Sequence, residues 1–152
     1  MRLTTMTDYA MRLLMYLAHN PDRLCTIAEI AGAYGVSEAH LMKVTHQLGL
    51  AGFIETVRGK GGGMRLAAPP TTINLGEVVR AIEPDFALVE CFGSGNRCTL
   101  TEYCRLAGIF GGALEAFLAH LDRHTLADLV PDRPAATTPA RSDRSRVRPR
   151  AA

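Results

Sequence analysis

Residues 25–49 read CTIAEIAGAYGVSEAHLMKVTHQLG, and residues 53–68 read FIETVRGKGGGMRLAA. The first stretch predicts two helices around a tight turn. Thr26, with Glu29 three residues on, has the form of a capping box and opens a short helix over 26–33. Gly35 suits the turn, since glycine takes positive φ without steric penalty. Ser37 stands where it can cap a second helix over 37–48, with Leu41, Val44 and Leu48 as its buried stripe. Glu38, His40, Lys43, His46 and Gln47 then point elsewhere. A short helix, a glycine turn and a polar-faced second helix make a helix-turn-helix. In the second stretch, 53–57 and 64–67 read as strands about a glycine-rich turn that carries Arg58 and Lys60, with Arg65 just beyond. A hairpin directly after a helix-turn-helix is a wing. The fold class expected is mostly α: a winged helix-turn-helix.

That fold suggests double-stranded DNA as partner. Cations on the wing can neutralise phosphate, and glycines let backbone N–H groups approach it. The residues assigned to DNA are Ser37, His40, Lys43, Gln47, Arg58, Lys60 and Arg65. The competing reading of the helix residues is a merely solvated face. The GKGGG turn lacks the Lys-Ser/Thr ending and following helix of a nucleotide-binding loop. His40 and His46 are six apart, the wrong relation for a shared metal. No nucleophile stands beside a base, so catalysis is not expected.

Outward from this centre, Met6, Ala10, Leu13, Leu14 and Leu17 mark a first helix over 5–18, with Thr5 and Asp8 as a capping box. Asn74 and Glu77 open a helix over 74–83, which Pro84 ends. Thr99 and Glu102 suggest a long helix over 99–123, with Tyr103, Leu106, Phe110, Ala113, Leu114, Phe117 and Leu121 as its stripe. The spacing approximates a seven-residue repeat and predicts pairing with a second copy. Gly108, Gly111 and Gly112 each cost about 1 kcal/mol relative to Ala in a helix interior. They make sense where another backbone crosses closely. The organisation expected is a DNA-binding domain over 1–83, a cysteine-rich loop over 84–104, a dimerisation region over 99–130 and a tail over 131–152.

The 152 residues, 47% apolar, suffice for one domain with additions. No apolar run approaches the roughly 18 residues of a membrane span. Asp8 and Arg12 interrupt the only apolar N-terminal run, unlike a secretory signal. A cytoplasmic protein is expected. The net charge of +2 divides into +2 over 1–74, −4 over 75–130 and +4 over 131–152. The tail, with six Arg and four Pro, reads as disordered, with weak, salt-sensitive contact to DNA phosphates open to it.

Residues 90–104, ECFGSGNRCTLTEYC, hold three of the four cysteines. In a cytoplasmic chain such clustering points to metal or redox chemistry rather than structural disulfides. The Cys-x-x-Cys knuckle of structural zinc sites does not occur. Thiolates on an irregular loop suit an iron–sulfur cluster, with zinc or a thiol switch as alternatives. Cys25 precedes the capping Thr26 and reads instead as a hydrophobic staple on Ile30. The acids near the loop are Glu83, Asp85, Glu90 and Glu102; Asp8 lies far away in sequence.

TDYAMRLLMYLA (7–18), VSEAHLMKVTHQLG (36–49), RGKGGGMRLA (58–67) and the three-cysteine loop occur in this order. In these segments, from residue 1 to about 130, the chain resembles the winged-helix iron–sulfur transcription regulators. That family includes a nitric-oxide sensor and a regulator of cluster biogenesis, and HLMKV and RGKGGG lean towards the former. The resemblance implies a homodimer on a palindromic operator, with one cluster per subunit held by Cys91, Cys98 and Cys104. It implies a 4Fe–4S cluster, with 2Fe–2S the alternative, and Asp8 of the partner subunit as fourth ligand. An oxygen ligand is weaker than thiolate for iron, so that corner would be labile to nitric oxide. The function implied is a repressor that nitric oxide releases from DNA, derepressing nitric-oxide detoxification genes. The alternative is a sensor of cluster supply or redox state on the same fold. Outside the family, an electron carrier or a cluster-free thiol switch would use the same cysteines.

Overall fold

The computed structural model describes residues 2–130; the segment 131–152, read as a disordered tail, lies outside the described residues. The elements are α1 Thr5–Ala18, α2 Ile27–Tyr34, α3 Glu38–Leu50, β1 Ile54–Val57, β2 Gly63–Leu66, α4 Leu75–Ile82, α5 Leu106–Leu121 and α6 Leu126–Leu129. Short 3-10 turns lie at Pro70–Thr72 and Glu90–Phe92.

Of the apolar stripe of α1, Ala10, Leu13, Leu14 and Leu17 are buried and Met6 half-buried, in a helix that packs on α3, α4, α6 and β2. Each such leucine contributes about 1.5–3 kcal/mol through burial. Ile30, Leu41, Val44, Leu48, Ile54, Met64, Val78 and Ile82 complete one core. Thr26 and Glu29 form the expected capping box, and Gly35 ends α2 at φ 63°. Cys25 is fully buried in the same core as Ile30. It also extends the wing: its N–H donates to the Met64 carbonyl at 3.0 Å, and Met64 N–H donates back at 2.8 Å.

Several expectations at helix ends are corrected. The cap of α1 is Thr4, whose hydroxyl accepts from Thr7 N–H. Asp8 turns away from the cap and pairs with Arg12 one turn on, at 3.0 Å. Ser37 sits at the N-cap of α3, but its side chain makes no capping bond. The long helix α5 starts at Leu106, not near Thr99. Residues 98–104 close instead into tight turns, with Thr101 N–H donating to Cys98 O and both Tyr103 and Cys104 N–H donating to Leu100 O. These local bonds compete with the helix.

The sequence also left α6 unread. Leu126 of α6 is fully buried, and its N–H donates to Ile73 O at 2.8 Å. Arg80 grips Asp122 through two bonds of 2.5 and 2.7 Å, tying α4 to the end of α5. Gly76 makes room for this pair, since a Cβ there would lie 1.9 Å from the Asp122 carboxylate.

Glu29 joins α1 to α2. It accepts from Arg23 through both oxygens and from Tyr16 OH at 2.8 Å. These bonds, Arg23 first, hold its pKa at about 2 against an ordinary 4.5. A depressed carboxylate contributes stability above its unfolded pKa and loses it as pH falls through the folded one. Urea unfolding midpoints should therefore fall between about pH 4.5 and 2. Glu29→Gln should flatten that decline; an unchanged pH profile would remove Glu29 from the acid response.

Candidate functional site

The exposed side of α3 carries Lys43, His46, Gln47 and Leu50, opposite the buried Leu41, Val44 and Leu48. Lys43 makes no ion pair among the described residues. His40 is exposed but turned towards α1, its ring centroid 6.2 Å from that of Tyr9. Ser37, freed from capping, is exposed at the start of α3. His46 lies one turn beyond Lys43 on the outward side. It was left out of the sequence-assigned set, although its i+3 spacing from Lys43 signals a shared face.

Strand pairing sets the wing: Ile54 faces Leu66, Glu55 faces Arg65, and Val57 faces Gly63. Arg65 is taken up across the hairpin, where Nε and Nη2 donate to Glu55 at 2.9 and 2.8 Å. Arg58 and Lys60, at the tip, are exposed and unpaired among the described residues. Gly59 and Gly61 hold φ of 98° and 80°. A Cβ on Gly62 would lie 2.3 Å from Val57 O. The glycines therefore build the turn that presents the two cations.

At the other end of the chain, Cys91, Cys98 and Cys104 line one cavity of about 170 Å³, together with Glu90, Thr101 and Leu106. All three thiols are free. Asn96 shapes the segment between them: its Oδ1 accepts from Cys98 N–H at 2.9 Å, and its Nδ2 donates to Thr101 Oγ1 at 3.0 Å. Leu106 N–H donates to Cys104 Sγ at 3.4 Å, at the first residue of α5. Among the described residues no three His, Cys, Asp or Glu side chains are grouped for a single metal ion. A multi-iron cluster asks for a different arrangement, with one thiolate at each of several corners around a cavity. The donor set is soft and sulfur-rich, and it fits such a cluster. Burial pushes the Cys25 thiol above its ordinary pKa, which suits packing rather than ligation.

Asp8 is not among the residues lining this cavity. Of the acids near it in sequence, Glu83, Asp85 and Glu90 each accept a hydrogen bond, and Glu90 lines the cavity. Glu83 accepts from Thr4 N–H at 2.7 Å, Thr4 Oγ1 at 3.2 Å and Thr7 Oγ1 at 2.6 Å. Asp85 accepts from Ala87 N–H, and Glu90 from Arg97 N–H. Glu83 thus ties the start of α1 to the end of α4, where the cysteine segment departs. The contact joins residues 79 and 76 positions apart, which no local sequence signal reveals.

A helix-turn-helix with an exposed second helix and a cation-tipped hairpin defines a winged-helix DNA-binding regulator. The family model Rrf2, described as "Iron-dependent Transcriptional regulator", matches residues 3–132. The chain belongs to the Rrf2 family. It is 49% identical over 132 residues to the HTH-type transcriptional regulator NsrR of Bacillus subtilis, covering 86% of this chain and 90% of that one. It is 50% identical over 135 residues to NsrR of Geobacillus kaustophilus, covering 88% and 92%. Among solved structures, T. potens IscR superposes with a TM-score of 0.65 at 25% identity, covering 85% of each chain.

The wing geometry separates its cations. Arg58→Ala and Lys60→Ala should each lower the slope of log K against log salt on operator DNA by about 1. Arg65→Ala should lower it less, because Glu55 already neutralises that side chain. Salt titrations of binding check this, and equal slopes for all three variants and wild type would remove the wing from the interface.

Proposed function

We propose that this chain is a cytoplasmic, homodimeric, iron–sulfur-dependent repressor that senses nitric oxide. The observation that carries the reading is the convergence of Cys91, Cys98 and Cys104 on one small cavity. It is supported by relatives named NsrR at about half identity. The three thiolates would hold the cluster, with Asp8 of the partner subunit as fourth ligand. When bound, the cluster supplies iron with one weakly held corner open to nitric oxide.

The residues themselves do the rest. In one subunit Asp8 is held by Arg12 and exposed to solvent. It is therefore available to a neighbouring subunit only by exchanging that partner. Leaving Arg12 would draw on α1, whose next residue, Tyr9, lies against His40 at the start of α3. A bond at Asp8 and the aim of α3 are thereby coupled through one rigid helix.

Dimerisation has its own support. Not one residue of α5 is buried, although the helix carries Leu106, Ile109, Phe110, Leu114 and Phe117. Ile109 is 69% exposed. Beside it, a cavity of about 340 Å³ is lined by Leu3, Glu83, Phe86, Phe110 and Phe117. An apolar helix left bare in one copy is a surface for a second.

Anaerobically purified protein should show thiolate-to-iron absorption that nitric oxide changes while releasing operator DNA. Alanine at Cys91, Cys98 or Cys104 should each abolish the absorption, and Cys25→Ala should keep it. Asp8→Ala should keep a cluster with an altered spectrum. A dimer pairing one subunit that lacks the loop cysteines with one carrying Asp8→Ala should look native, since its only cluster faces an intact Asp8. Colourless protein with stoichiometric zinc would overturn the cluster. Release by oxidant but not by nitric oxide would favour the redox-sensing alternative.

A further inference from the structure

The second helix of the helix-turn-helix exposes apolar side chains where a solvated face would carry polar ones. Ala39, Met42, Lys43 and His46 stand at i, i+3, i+4 and i+7 on α3, so they share one side of it, and all four are exposed. Met42 is 54% exposed. Leu41, Val44, Thr45 and Leu48 take the opposite side into the core. Two of the four outward residues, Ala39 and Met42, therefore present methyl groups rather than hydrogen-bond donors.

Met42 also stands at the edge of a groove of about 350 Å³ between α3 and β1, lined by His46, Leu50, Ile54 and Thr56 among others. No described residue lining it is Lys, Arg, Asp or Glu. Cations flank this apolar strip: Lys43 on the same helix, Arg58 and Lys60 at the wing tip. None of the three makes an ion pair among the described residues. The face is thus complementary in charge to a duplex, with its apolar strip set against base edges rather than phosphates. The major groove offers one apolar group on those edges, the 5-methyl of thymine. Methionine ends in a methyl on an unbranched, polarizable thioether, which adapts readily to such a contact.

We infer that Met42 is a specificity-determining residue that reads thymine through its 5-methyl group, with Ala39 beside it letting α3 approach the bases closely. Met42 lies in the first half of α3, the part of a recognition helix that meets base edges. Lys43, the next residue, supplies the charged donor for guanine on a neighbouring base pair. The inference rests on the DNA-binding reading above.

The test begins with the full chain, purified anaerobically, selecting a duplex from a random pool. Each thymine of the selected duplex is then replaced in turn by deoxyuridine, which lacks only the 5-methyl. In each half-site at least one replacement should lower wild-type affinity about fourfold, the effect of exposing one methylene-sized group. Met42→Leu, still apolar, should keep that dependence. Met42→Gln, similar in length but polar, should bind the thymine and uracil duplexes alike, at about the wild-type affinity for the uracil duplex. Because Met42 is outside the core, both variants should keep the wild-type urea midpoint, which separates lost reading from lost folding. Selection of a sequence in which no thymine methyl matters would overturn the inference and leave the regulator reading standing. So would an equal loss on uracil substitution in wild type and Met42→Gln. Binding without selection of any sequence, or no binding to any duplex, overturns both.

Discussion

The buried face of α1 is the constraint on which the rest depends. Ala10, Leu13, Leu14 and Leu17 pack against α3, α4, α6 and the wing at once. The helix that aims at DNA, the helix that leads to the cysteines and the closing turn of the fold therefore share one rigid partner. Replacing one of these leucines by alanine would cost about 2–5 kcal/mol, because close-packed neighbours collapse only in part. The same helix carries Asp8 on its exposed side and is pinned at its start by Glu83. The same helix thus touches both α3 and, through Glu83, the end of α4 from which the cysteine segment departs.

The two candidate sites are built in opposite ways. The wing is short and backbone-determined: positive φ at Gly59 and Gly61, and crowding at Gly62, leave its tip a single shape. The cysteine segment has little core of its own. It is held by side chains that bond to nearby backbone, with Asn96, Thr101, Glu90 and Cys104 each taking part. Local bonds of this kind contribute only about 0.5–1.5 kcal/mol each.

Apolar surface and charge both point outward from the single copy. Among the described residues no side chain of α5 is buried, and the wing-tip cations Arg58 and Lys60 make no ion pair.

Much of the fold was legible because its signals are local. Helical spacing, the Thr26–Glu29 box, the αL glycine at 35 and the glycine turn at 59–63 act within a few residues, and each appears where the sequence puts it. The grouping of three cysteines could be read from spacing as well. The misread features turned on competition or distance. Thr99 and Glu102 resemble a helix start, but turns around Cys98 and Cys104 take those backbone groups first. Asp8 can close a cap in sequence, yet Arg12 offers it a full charge one turn away. Arg65 looks like its neighbours Arg58 and Lys60 until strand register sets it opposite Glu55. Glu83 at the start of α1, Asp122 on Arg80 and Leu126 on Ile73 join residues 42 to 79 positions apart. The sequence by itself determined most of the elements, though neither α6 nor the start of α5, and which residue types they display. Only the tertiary structure decided which charges neutralise one another and which stay exposed, because pairing across the fold depends on distances that no local pattern encodes.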